Sequence, residues 1–152
     1  MTSMMASKQV SKAVILAAGR GARMKHLTEE RPKPMVMVGD QPMLAHVLES
    51  VEKVPIEDIL VVVGYKQEIV RNYFAAHPRQ NSRLSYGVQE QQDGTGSAAL
   101  LGREFAGPEP VLMTFGDILA PPETYRSLCS LQGGADAVLA LAAVESDADD
   151  LL

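Results

Sequence analysis

The sequence predicts an α/β protein: a doubly wound, mainly parallel sheet with helices on both faces. Short, almost wholly apolar runs, which read as strands buried on both faces, alternate with segments whose apolar residues recur at the helical period of three or four. Each connection is long enough for the helical crossover that parallel strands require. The residues with chemical potential gather directly after the strand-like runs, at the carboxyl edge where open parallel sheets bind ligands.

The elements follow in order. Residues 12–17, Lys-Ala-Val-Ile-Leu-Ala, form the first strand-like run and lead into Gly19-Arg20-Gly21. Residues 42–53 place Met43, Leu44, Val47, Leu48 and Val51 on one helical face. Pro42 suits that helix's first turn, because its φ is pre-set and its missing N–H would have no partner there. A second buried strand spans 58–64, and residues 67–77 carry Ile69, Val70, Tyr73 and Phe74 at helical spacing until His77-Pro78 stops the helix. Residues 84–89 read as a third strand, 96–105 as a helix of small residues and 110–115 as a fourth strand. Residues 122–131 read as a helix that exits through Gly133-Gly134, and 136–144 as a fifth strand.

Composition narrows the function classes. With 46% hydrophobic and 22% charged residues, the chain is an ordinary globular domain with one core, which excludes collagen and a disordered chain. Its 14 Lys+Arg against 19 Asp+Glu give a net charge of -5, so the basic footprint of a nucleic-acid binder is missing. The longest apolar runs, 13–18, 59–63 and 137–144, fall short of the roughly 20 residues that span a bilayer. The single cysteine, Cys129, cannot form an internal disulfide, so a reducing, cytoplasmic location is expected. Residues 1–11 lack the apolar core of a signal peptide and read as a disordered lead-in, 12–145 as one domain without repeat or linker, and 146–152 as an acidic tail.

The loop after the first strand, residues 19–34, holds Arg20, Arg23, Lys25, Arg31 and Lys33 against Glu29 and Glu30, a local +3 in an acidic chain. Such a loop suits a polyphosphate: glycine permits close backbone approach, and N–H groups and guanidinium forks satisfy phosphate oxygens. The competing reading is a solvated surface loop, and the position at a strand end favours the first. A P-loop is excluded, because no glycine here is followed by Lys-Ser or Lys-Thr. A dinucleotide fingerprint is excluded too: Met24 stands where its third glycine would be, and the second strand ends in Gly64-Tyr65 without the ribose-binding acid.

Residues 16–24, Leu16-Ala17-Ala18-Gly19-Arg20-Gly21-Ala22-Arg23-Met24, with Leu27-Thr28 and Arg31-Pro32-Lys33-Pro34, closely resemble the signature of sugar-1-phosphate nucleotidyltransferases, roughly L-A-A-G-x-G-T-R-M-x-P-L-T followed by P-K-P. Gln89 to Gly96 resemble that family's base-binding segment, and Gly116-Asp117 after an apolar strand resembles its metal site. Three motifs in the right order extend the resemblance from about residue 12 to about residue 144, which corresponds to the nucleotide-binding half of the family's catalytic domain.

The resemblance implies a Rossmann-like fold and a reaction in which a sugar 1-phosphate oxygen attacks the α-phosphorus of UTP or dTTP in line and pyrophosphate leaves. Positioning and charge neutralisation then carry catalysis, without a covalent intermediate. It assigns Arg23 to the leaving pyrophosphate and Lys33 to the phosphates at the reacting centre. Leu16, Ala18, Gly19 and Gly21 would hold the nucleotide through their backbone, and Asp117 would bind Mg²⁺, a hard cation suited to carboxylate and phosphate oxygens. Gln89 would read a pyrimidine, since one amide offers both a donor and an acceptor, with Gly94 and Thr95 beside it. The plain alternatives are an exposed loop lysine for Lys33, a turn residue for Asp117 and a tight turn for Asp93-Gly94.

Gly94-Thr95-Gly96 looks more like uridylyltransferases acting on amino sugars than like thymidylyltransferases. Gln91 and Gln92 read as solvated loop residues; His46 and Cys129 as core or boundary residues; Met35, Met37 and Met43 as space-fillers. His26, His46 and His77 are too scattered for a metal site. Ala22 and His26 depart from the family's hydroxyl residue and proline. The family's second metal-binding acid, its sugar-phosphate lysine and its sugar pocket have no counterpart, so the expectation is either a partial, truncated product of a longer enzyme or a short relative whose site a homo-oligomer or a completing chain supplies. A non-catalytic nucleotide-binding or regulatory module, and a transferase with a non-sugar phosphate acceptor, stay open.

Overall fold

A computed structural model describes residues 9–21, 28–130 and 135–141. In chain order they form β1 (Lys12–Leu16), a single 3-10 turn (Lys33–Met35), a hairpin of β2 (Met37–Val38) and β3 (Gln41–Pro42), α1 (Met43–Val51), β4 (Asp58–Val63), α2 (Gln67–Ala76), β5 (Arg83–Val88), α3 (Thr95–Leu100), α4 (Arg103–Ala106), β6 (Val111–Phe115) and α5 (Pro122–Ser130). The main sheet has the order β5-β4-β1-β6, and all three pairings are parallel.

β1 is central because its side chains are apolar on both faces: Ala13, Val14 and Ile15 are fully buried. Odd-numbered residues of β1 and β4, such as Ile15 and Val61, join Leu44, Leu48 and Val51 of α1, Phe74 of α2 and Tyr125 of α5 in the larger core. Even-numbered residues, Val14, Leu16, Leu60 and Val62, face the opposite way onto Ala98 and Phe105 of α3 and α4. Each fully buried aliphatic side chain contributes about 1.5–3 kcal/mol relative to exposure. Helices therefore cover both faces, as the alternation predicts, but unequally: Leu100, Leu101, Met113 and Phe115 stay partly exposed on the α3 side.

Registers align the strand ends. Leu16 lies level with Val62 and Phe115, and Val63 with Val88. The segments after β1, β5 and β6 thus leave from one edge of the sheet.

Three expectations need correction, and one feature was missed. The helix expected over 96–105 is two, broken at Leu101-Gly102; a Cβ on Gly102 would lie 2.9 Å from Val14 Cγ2, so the chain turns where it touches β1 most closely. The expected fifth strand is not formed over residues 136–141, where Leu139 and Leu141 are exposed; alternation records apolarity, whereas a strand also needs a ladder partner. Residues 142–144 and Gly133-Gly134 lie outside the described residues. The β2–β3 hairpin was not anticipated, although Gly39-Asp40 between two short runs is a hairpin signal, and Gly39 takes the φ of +69° that such a turn demands. Met35 is buried as a space-filler should be, but Met37 is exposed on that hairpin.

Candidate functional site

The carboxyl edge of the sheet opens into a cleft of about 450 Å³. Leu16, Ala18, Gly19, Gly21, Lys33, Gln89, Gly94, Thr95 and Asp117 all line it. The residues given individual roles are therefore brought to one place except Arg23, which lies outside the described residues with Ala22 and residues 24–27; of the loop's other cations Lys25 lies there too, and Arg20 and Arg31 do not line the cleft.

Lys33 stands in the 3-10 turn between Pro32 and Pro34, both buried, which fixes the backbone that presents it. Asp117 follows β6 after Gly116. A Cβ on Gly116 would lie 3.0 Å from Ala17 Cβ and 3.3 Å from Leu44 Cδ1 and Pro34 Cβ. Glycine there lets the end of β6 close onto β1, α1 and the lysine turn together, and the result is an ion pair, Lys33 Nζ to Asp117 Oδ2, at 2.7 Å. Their side chains are 36% and 25% exposed, so both charges face the cleft while balancing each other.

The glycine loop is closed at its base. Thr28, buried, donates its hydroxyl to Gly21 O at 2.9 Å, and Gly21 takes a φ of +69° with no room for a side chain. Two of the loop's cations have intramolecular partners, Lys33 on Asp117 and Arg20 stacked over the Tyr65 ring at 5.0 Å. The Tyr65 hydroxyl and Lys66 Nζ both donate to Glu29 O, at 3.0 and 2.7 Å, tying the loop to the turn before α2.

On the other side of the cleft Gln89 is buried, and its backbone N–H donates to Val63 O at 2.8 Å, extending the sheet ladder. Its side-chain Nε2 donates to Asp93 Oδ1 at 3.2 Å and to Gly94 O at 3.0 Å. The amide's donor half therefore closes the 89–94 loop, and only its carbonyl half is left for a ligand. The Ser97 hydroxyl above all, with the Asp93 backbone N–H and the Gln89 amide, holds the Asp93 carboxyl below its usual range.

The sequence missed Gln92. Exposed in its loop as expected, it also lines the cleft and donates Nε2 to Ala18 O at 3.1 Å, joining the 89–94 loop to the segment after β1. Phe115 and Pro34 also line the cleft and were not nominated; the end of a parallel strand and the prolines around Lys33 were the available signals. His46 is a boundary residue as expected, stapling the β2–β3 hairpin through Gln41 Nε2 (3.2 Å) and Val38 O (2.7 Å). Cys129 is half-buried, and burial pushes its thiol pKa up, consistent with a packing role. Among the described residues no helix is long and apolar enough to cross a membrane, and no group of three or more His, Cys, Asp or Glu could hold a metal.

Comparison with known proteins places the chain in a family and matches its fold. The chain is 39% identical over 107 residues to "Bifunctional protein GlmU" of Methanocaldococcus jannaschii, covering 70% of this chain and 25% of that one. It is 36% identical over 137 residues to the protein of the same name from Symbiobacterium thermophilum, covering 88% and 27%. The chain thus spans about a quarter of the length of these curated relatives. The fold matches a crystal structure of UDP-glucose pyrophosphorylase complexed with UDP-glucose (TM-score 0.65, 24% identity, 78% of this chain and 53% of that one). It also matches HddC from Yersinia pseudotuberculosis complexed with GMP-PN (TM-score 0.66, 23% identity, 81% and 55%). The family model described as "Nucleotidyl transferase" matches residues 12–148, which include every described strand and helix, and the chain belongs to that family.

Proposed function

We propose that the cleft binds a uridine or deoxythymidine triphosphate with Mg²⁺ and serves nucleotidyl transfer to a sugar 1-phosphate with release of pyrophosphate. The observation that carries this reading is the meeting of Lys33, Asp117, Gly19, Gly21 and Gln89 around one cleft at the carboxyl edge of a parallel sheet.

The residues divide the task. Gln89 Oε1, unengaged among the described residues, is the acceptor for the N3–H of uracil or thymine. Gly19 and Gly21 let phosphate oxygens approach the backbone. Lys33 leaves Asp117 for the phosphates and neutralises charge that builds up during displacement. Asp117, thereby released, is a hard oxygen donor. Mg²⁺ is commonly held by one or two carboxylates plus substrate phosphates and water, so a single carboxylate fits it. When bound, the metal supplies charge neutralisation at the phosphates. Arg23, by family resemblance, is assigned to the leaving pyrophosphate.

A second reading, nucleotide binding without turnover, is favoured by one observation: Asp117 is the only carboxylate lining the cleft among the described residues. Pyrophosphate release measured with UTP, dTTP and several sugar 1-phosphates separates the two. Release that needs both substrates supports transfer; saturable binding of Mg·UTP without release supports the module; failure to bind any nucleotide refutes both.

A further inference from the structure

We propose that Gln92 is a positioning residue that locks the Ala18–Gly19 peptide so that the Gly19 N–H is presented to the bound triphosphate. The ligand in this statement rests on the nucleotide reading above, whereas the lock rests on geometry alone.

Gln92 belongs to the 89–94 loop and Ala18 to the segment after β1, and the Gln92 Nε2 donates to Ala18 O at 3.1 Å. Ala18 is buried, and its carbonyl lies so close to Gly64 that a Cβ there would stand 3.0 Å from the oxygen. No other hydrogen bond reaches that oxygen among the described residues. The next residue is Gly19, around which an added Cβ would meet nothing within 4 Å. A glycine in open space offers little steric resistance to rotation of the peptide before it.

The bond is trans, and in a trans peptide C=O and N–H point in opposite directions. Whatever holds the Ala18 oxygen therefore also aims the Gly19 N–H. That N–H has no partner among the described residues. The holder is itself held: the Asp93 N–H donates to Gln91 O at 3.0 Å, and the Gln89 side chain ties Asp93 and Gly94 from the other side. A neutral amide performs this without adding charge beside Lys33 and Asp117. Pre-aimed backbone donors are worth most where a ligand's charge is concentrated, because no reorganisation is then needed on binding.

The test uses Gln92→Glu, which keeps the length but turns an oxygen toward the carbonyl, and Gln92→Leu, which removes the donor. Gln92 is exposed, so both variants should keep the thermal midpoint of the unsubstituted protein. In the unliganded protein the Gly19 amide resonance should shift and broaden in both variants, while that of Gly102, buried against Val14, stays in place. Calorimetry should show Mg·UTP and Mg·ATP affinities falling together by about two- to tenfold, the size of one neutral hydrogen bond, with their ratio unchanged. A Gly19 resonance that does not move overturns the lock, and a collapsed UTP-to-ATP ratio overturns it in favour of base contact by Gln92. If the unsubstituted protein binds no nucleotide, the nucleotide reading fails on its own account, and the Gly19 resonance alone decides whether the lock exists.

Discussion

Gly21→Ala tests whether the glycine loop and the lysine turn form one mechanical unit. Gly21 has φ +69°, where an L side chain costs about 1–2 kcal/mol. Its new Cβ would lie 2.7 Å from Lys33 Cβ and 3.2 Å from both Lys33 Cγ and Thr28 Cγ2. Neither neighbour retreats freely, since Thr28 is buried and bonded to Gly21 O and Lys33 stands between buried prolines. Overpacking of this kind adds about 1–3 kcal/mol, so the expected total is roughly 2–4 kcal/mol after partial relaxation. That strain appears either as lost stability or as displacement of Lys33. Urea denaturation reads the first, and calorimetric titration with Mg·UTP reads the second. Gly19→Ala is the matched control: with open space and no positive φ, it should keep stability within about 1 kcal/mol. It should nevertheless weaken Mg·UTP, because its methyl group stands on the cleft surface. An unchanged urea midpoint together with unchanged Mg·UTP affinity in Gly21→Ala would refute the coupling.

Gln89→Leu should abolish preference for pyrimidine over purine triphosphates, a loss of about 1–3 kcal/mol, in competition binding; equal affinity for UTP and ATP before substitution would remove the assignment. Glu52→Ala should cost about 3–5 kcal/mol in urea denaturation, because it strands the Arg79 guanidinium, whose partner carboxylate is only 4% exposed and also accepts from Ser82; a change below 1 kcal/mol would show the pair is not buried in solution. The Arg83 side-chain hydrogen bond holds the Asp58 carboxyl below its ordinary 3.8. The sign follows: a depressed folded pKa contributes stability above the unfolded value that is lost as pH falls through the folded one. Arg83→Met should therefore lower stability slightly at neutral pH and flatten the acid limb below about pH 4, and parallel acid limbs in the two proteins would contradict it.

What the sequence made legible was what leaves a periodic or positional trace. β1 and β4 are buried on both faces and read as unbroken apolar runs; α1 and α2 expose one face and read at the helical period. Two-residue strands such as β2 and β3 have no period to detect, and residues 136–141 have a strand's composition without a partner to pair with. The place of the cleft was legible because ligand chemistry clusters after parallel strands, and the residues that line it because they stand in motifs that resemble the family's. Their mutual contacts were not. The Lys33–Asp117 pair depends on how closely Gly116 approaches Ala17, Leu44 and Pro34, a distance that no residue type encodes. Gln92 is exposed in its loop as expected, but its bond was not foreseen, because its partner is a backbone carbonyl and backbone acceptors leave no mark in a sequence.

The Lys33–Asp117 pair also bears on what the cleft selects. Side chains as exposed as these gain only about 0–1 kcal/mol from pairing, because solvent screens the attraction and holding two flexible chains costs entropy. Hydrogen bonds to charged groups contribute about 1.5–3 kcal/mol each, so phosphate oxygens on Lys33 and a hard cation on Asp117 can displace the pair at little cost. Either component alone would strip one charge of its partner and leave the other to water. A metal–triphosphate complex presents both signs at once and satisfies both groups. On the proposed function, the self-neutralised cleft therefore suits the metal complex of a nucleotide, and two residues remote in sequence act as one recognition element.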